Sequence, residues 1–138
     1  MGPVKPLAIW FVLMSAVYGG FALAESTLSE PTQVFVFVDS SNPMAPVWVD
    51  VQRELNLIDD RTDAEFALAY GQSRGAELVT SWGSELTLSG VQPFAPCSFD
   101  EISLFPEATE ADERILITTS SSCDRSALDD WDIVLLEP

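Results

Sequence analysis

The sequence predicts an α+β domain, with two helices near its start packed on a mostly antiparallel sheet of about five or six strands. Three observations carry that expectation. A single apolar run, Gln33 to Asp39, comes first; two stretches with helical spacing follow it; and from Glu77 onward short β-forming runs recur between turn residues. Helices grouped ahead of a series of strands, rather than alternating with them, are the pattern of an α+β fold.

The chain opens with MGPVKPLAIWFVLMSAVYGGFALA. Lys5 is the only side-chain cation before the apolar run Leu7 to Val17, and Ala22-Leu23-Ala24 places small residues where a signal peptidase cuts. That is the layout of a secretory signal peptide over residues 1–24, with cleavage expected after Ala24 and a secreted or periplasmic product. The strongly apolar part falls short of the roughly 20 residues that span a bilayer comfortably. An uncleaved anchor is the rival reading, because Leu7 to Ala24 is uncharged throughout. No Cys stands immediately after the cleavage point, where Glu25 follows, and no twin-Arg pair is present, so lipoprotein anchoring and the twin-Arg route are not expected.

Cleavage would leave 114 of the 138 residues, enough for one domain. Residues 25–32 (ESTLSEPT) read as a flexible leader, and 33–138 as a single small acidic domain. QVFVFVD, residues 33–39, is apolar on both faces, as a buried central strand would be. Ser40-Ser41-Asn42-Pro43 breaks it; Asn42 can cap a helix that starts at Pro43, where the missing N–H costs nothing. Val47, Trp48, Val51, Leu55 and Ile58 continue at helical spacing, although Val47, Val49 and Val51 could instead alternate as a strand. After the charged break Asp59–Asp63, a second helix is expected through Phe66, Ala67 and Tyr70, ended by Gly71 and Gly75. Five strands are then expected over residues 77–82, 85–89, 98–105, 114–119 and 131–136, with Gly83-Ser84 as a hairpin turn between the first two.

Cys97 and Cys123 are expected to pair, since an even cysteine count in an exported chain points to a disulfide. Closing that loop constrains the unfolded chain by roughly 3 kcal/mol in the chain-entropy model.

Charge narrows the partners. The whole chain stands at −16; residues 1–24 hold one of its six basic residues and none of its 22 acidic ones, so the rest carries five Arg against 22 acids, or −17, with no Lys and no His. Phosphate binding needs clustered cations, so nucleic acid is not an expected partner, and neither is an anionic membrane surface. A protein or otherwise cationic partner fits, as does an acidic surface that simply keeps the domain soluble. Without His the usual base for a Ser or Cys nucleophile is missing, and without Lys beyond residue 5 there is no Schiff-base lysine. Neither a phosphate-binding glycine loop nor C-x-x-C occurs. A hydrolase working through two carboxylates remains an alternative, with no residue pair singled out.

Two acidic clusters, Asp59, Asp60, Asp63, Glu65 and Asp124, Asp129, Asp130, Asp132, could attract a hard cation, although neither follows the EF-hand spacing and solvated surface is the plainer reading. Trp48, Trp82 and Trp131 could face a ligand, but core is the expectation.

Val34 to Met44, VFVFVDSSNPM, resembles the first strand and metal loop of a von Willebrand factor A domain, whose strand ends in D-x-S-x-S. The resemblance implies an α/β fold and places Asp39 and Ser41 as ligands of Mg²⁺ or Ca²⁺ in an adhesion-like module. Pro43 stands at the third position and has no side-chain oxygen. The overlapping stretch FVDSSNPMAPVWVDVQREL also resembles the first strand and helix of a thioredoxin-like domain, without that family's reactive cysteines. The functional expectation is an exported, non-enzymatic acidic domain that acts by binding or assembly.

Overall fold

A computed structural model describes residues 12–17 and 30–138. The chain divides into two compact units, Met1–Glu30 and Pro31–Pro138. In the first, residues 12–17 are helical, and among the described residues no helix is long and apolar enough to cross a membrane. The expected cleavage point after Ala24 lies outside the described residues.

The second unit is built on a mixed five-stranded sheet: β1 (Thr32–Val38), β2 (Ala64–Gln72), β3 (Gly75–Gly83), β4 (Glu113–Thr118) and β5 (Asp132–Leu135), in the order β3-β2-β1-β4-β5. β1 is central and buried on both faces from Val34 to Val38, which explains its unbroken apolar sequence. A 3₁₀ turn (Asn42–Val47) leads from β1 into helix α1 (Trp48–Asp59). Ser41 rather than Asn42 takes the capping position, and Pro43 sits in the first turn as expected.

Each sheet face has its own core. On one, Val34, Val36 and Val38 meet Met44, Val47 and the α1 stripe Val51, Leu55 and Ile58, joined by Phe66, Leu68, Ile115 and Ile117. Burying each of those three helix side chains stabilises the fold by about 1.5–3 kcal/mol. On the other face, Phe35, Phe37, Ala67, Ala69 and Leu116 are covered by Phe99, Ile102, Ala108, Ala111 and Leu128. The cover there is mostly irregular chain, with a 3₁₀ turn (Ile102–Leu104) and one short helix, α2 (Pro106–Glu110). Phe35 meets Trp131 edge-on and Phe105 at a tilt, and Phe37 meets Phe99 edge-on.

Four sequence expectations are corrected. The second helix is strand β2: Phe66 and Leu68 point to the α1 face while Ala67 and Ala69 point to the other, so burial on both sides produced the continuous apolar run taken as helical. The sheet is not mostly antiparallel. β1 pairs in parallel with β2 and β4, and β4 with β5; only β2–β3 is antiparallel. The parallel β1–β2 pairing is possible because α1 carries the chain back to the starting end of the sheet. Residues 85–89 and 98–105 are not strands: Leu86 and Leu88 lie on the α1 core, whereas Phe99 and Ile102 lie on the other.

The hairpin is accordingly not at Gly83-Ser84. It turns at Ser73-Arg74, between β2 and β3, and Gly75 leaves the turn at φ 125°, a conformation side-chain-bearing residues rarely adopt. Irregular pairing between Phe66 and Ala69 marks the far part of this ribbon, where Trp82 has φ 36°.

Candidate functional site

Parallel sheets present their ligand sites beyond the carboxyl ends of the strands, at the point where connections diverge to either side. Here that point is the end of β1, since the chain leaves it for β2 on one side and later returns to β4 on the other. Asp39 follows β1 directly and is 3% exposed; Ser40, Ser41, Thr118 and Thr119 around it are buried as well.

The Asp39 carboxylate ties three segments together. Its Oδ1 accepts from the Ser41 backbone N–H at 2.9 Å, and its Oδ2 accepts from the Thr118 hydroxyl at 2.7 Å and from the Ser122 hydroxyl. The Asp39 N–H donates to the Ile117 carbonyl at 2.9 Å, locking the ends of β1 and β4. Ser40 donates its hydroxyl to the Gly71 carbonyl at the end of β2. Overhead, the Ala95 N–H donates to the Ser40 carbonyl at 3.0 Å, and Ala95 forms an isolated parallel bridge with Ser41. The expected disulfide is present: Cys97 and Cys123, with Cα atoms 5.5 Å apart, join this overlying segment to the loop after β4. Ser122 Oγ lies 3.3 Å from the Cys97 sulfur, so the disulfide and the carboxylate share one neighbour.

Asp39 and Ser41, the two residues expected as cation ligands, lie at this centre together with Thr118 and Ser122. Hard divalent cations draw several oxygen ligands at close range, commonly more than one carboxylate. This centre holds one carboxylate, both of whose oxygens already accept hydrogen bonds, and Pro43 begins a helical turn instead of supplying a ligand. The donor set fits a satisfied buried carboxylate better than a cation cradle. Among the described residues no group of three or more Asp, Glu, Cys or His is placed to hold a metal ion.

The chain matches no family model, no curated protein and no solved structure.

Two concavities flank the Ser73-Arg74 turn at this end of the sheet, sharing Gln72 and Ser73. One, about 150 Å³, has Phe37 and Ile102 as apolar lining and Gln72, Ser73, Ser98 and Glu101 as polar lining. The other, about 240 Å³, is lined by Tyr70, Gly71, Gln92, Phe94 and Ala95 among others. Phe94 is 67% exposed. At the rim Tyr70 donates its hydroxyl to Glu77 at 3.2 Å and accepts from the Gln72 amide at 2.9 Å. Burial, and then the Glu77 charge, push the Tyr70 phenol above its ordinary range.

The nominated tryptophans, Asp124 and Asp130 lie elsewhere. Trp48 packs against the α1 core, and Trp82 and Trp131 against the other, as expected of core tryptophans. Asp124 caps a local turn, accepting from the Ser126 N–H and hydroxyl at 2.9 Å each. Those bonds hold its carboxyl below the usual range. Asp130 lies 3.6 Å from Arg114. Sequence reasoning missed Thr118, Ser122, Glu101 and Phe94. One signal was present: both parallel strands that meet here run straight into hydroxyl-rich turns, Asp39-Ser40-Ser41 after β1 and Thr118 to Ser122 after β4.

Proposed function

We propose that the chain is an exported binding domain whose crest, the loop-bearing end of the sheet around Phe94 and the Ser73-Arg74 turn, receives a basic, partly apolar polypeptide. The observation that carries this reading is the pairing of a largely exposed Phe94 with adjoining concavities on a chain of formal charge −16. An exposed aromatic beside a pocket is the kind of anchor that dominates protein recognition, and the acidic field favours cationic partners and speeds their encounter. Four of the five arginines beyond residue 5 are already engaged: Arg53 and Arg61 with carboxylates, Arg114 with Asp130 and main-chain carbonyls, and Arg125 with the Thr119 carbonyl. The acids therefore set the outward field. The disulfide supports an oxidising compartment, and with it removal of residues 1–24 as a signal peptide.

Fluorescence titration with a Lys/Leu-rich peptide tests the binding reading. Affinity should fall as salt screens the field, and Phe94→Ser, which leaves the charge unchanged, should weaken binding at least fivefold. Equal affinity for the wild type and Phe94→Ser would mean diffuse attraction to an acidic surface and no docking site. Intact mass of the exported product should show a chain beginning at Glu25.

A further inference from the structure

We propose that the smaller crest cavity is a binding site for one cationic side chain, an ammonium or guanidinium on an apolar stem, presented by the polypeptide partner. This deepens the binding reading above and rests on it. Size comes first. A volume of about 150 Å³ is well below the roughly 300–1,000 Å³ of pockets that enclose drug-sized ligands. It suits a single side chain.

The lining gives the chemistry. Ala76 and Pro96 offer accessible apolar atoms for a stem, and the buried Phe37 and Ile102 back the recess. Gln72, Ser73 and Ser98 supply oxygens that can accept hydrogen bonds. Glu101 supplies the charge, and its carboxylate has no hydrogen-bond or ion-pair partner among the described residues. The exposed carboxylate lies over Gly75, the residue that leaves the turn at φ 125°. An exposed carboxylate at the edge of a partly apolar recess, with no ion-pair partner among the described residues, is complementary to a cation whose stem enters the recess. Arg74 is the nearby opposing charge; it is exposed on the turn and does not line the cavity.

The test is a ¹⁵N–¹H NMR titration of the disulfide-intact protein. The probes are N-acetyl-lysine methylamide, its neutral counterpart N-acetyl-norleucine methylamide, and the Lys/Leu-rich peptide. The lysine probe should give saturable shifts at the Ser73, Gly75, Ser98 and Ile102 amides, with the norleucine probe at least tenfold weaker. Glu101→Gln should weaken the lysine probe at least fivefold with an unchanged melting temperature, and Arg74→Ala should tighten it by removing a like charge. Equal binding of both probes, no loss in Glu101→Gln, or shifts centred on Asp129 to Asp132 would overturn the site. If the peptide binds wild type and Glu101→Gln equally, the crest reading stands and this cavity is excluded. If the lysine probe fills the cavity while the peptide fails to bind, the cavity stands and the partner reading falls.

Discussion

On one face of the sheet a 12-residue helix lays Val51, Leu55 and Ile58 on the valines of β1. On the other, aromatic rings and small alanines are covered by loops, a 3₁₀ turn and a five-residue helix, and that cover is pinned at the crest by Cys97–Cys123 and the Asp39 centre. The helical face needs no staple, because its backbone hydrogen bonds are satisfied within α1 and its side chains need only be buried. Irregular cover satisfies few of its own backbone groups and loses more entropy on ordering, so it depends on cross-links. The contrast places the crest concavities, and any binding they support, on the region that the staple orders.

The comparison can be broken most forcefully in the cores. Phe35→Ala, which removes the ring between Phe105 and Trp131, should cost about 3–5 kcal/mol, and Leu55→Ala on the helical face about 2–5 kcal/mol, both read by chemical denaturation. Coupling sharpens it: Phe35→Ala combined with loss of the disulfide should be non-additive by more than about 0.5 kcal/mol, whereas Leu55→Ala with the same loss should be additive. Additivity in both cases would mean that the two faces do not differ in how they are held. Next in size, Cys97→Ser/Cys123→Ser should lower stability by about 3 kcal/mol. Asp39→Ala follows, at about 1–3 kcal/mol, because it leaves the buried Thr118 hydroxyl and Ser41 N–H without their acceptor. Addition of Mg²⁺ or Ca²⁺ should not shift the melting temperature of the wild type, and a saturable rise would return Asp39 and Ser41 to the role of ligands.

Much of this frame was legible in the sequence. β1, the turn at Pro43, β3, β4, β5 and the disulfide stand where residue pattern put them, and α1 forms as the helical spacing suggests but begins at Trp48, after a 3₁₀ turn, instead of at Pro43. β2 was not legible. AEFALAYGQ buries large residues on one face and alanines on the other, and an apolar run rich in Ala and Leu is ambiguous between strand and helix. The parallel β4–β5 pairing was hidden for a related reason, because residues 119–131 carry the chain from the end of β4 back to the start of β5 without helix or strand, leaving no helical period to announce a crossover. At the site, Asp39 and Ser41 were visible through the D-x-S pattern. Thr118 and Ser122 lie 79 and 83 residues from Asp39, a distance that only the fold closes.

The smallest expected effect concerns pH in the stapled loop. Ser126 holds the Asp124 carboxyl below its ordinary value, so the stabilisation is complete above the unfolded value of about 4 and is lost as pH falls through the lower folded value. Ser126→Ala should therefore lower the melting temperature slightly near neutral pH, and the gap should close as pH falls through the folded value. A gap that stays constant across that range would assign the effect to packing.

Hydrogen–deuterium exchange before and after reduction reads the central contrast directly. With the Cys97–Cys123 bond cut, amides of residues 91–102 should exchange much faster while those of residues 51–58 in α1 keep their protection. Equal acceleration of both segments, or none in 91–102, would contradict the view that one face stands on its helix and the other on its staple.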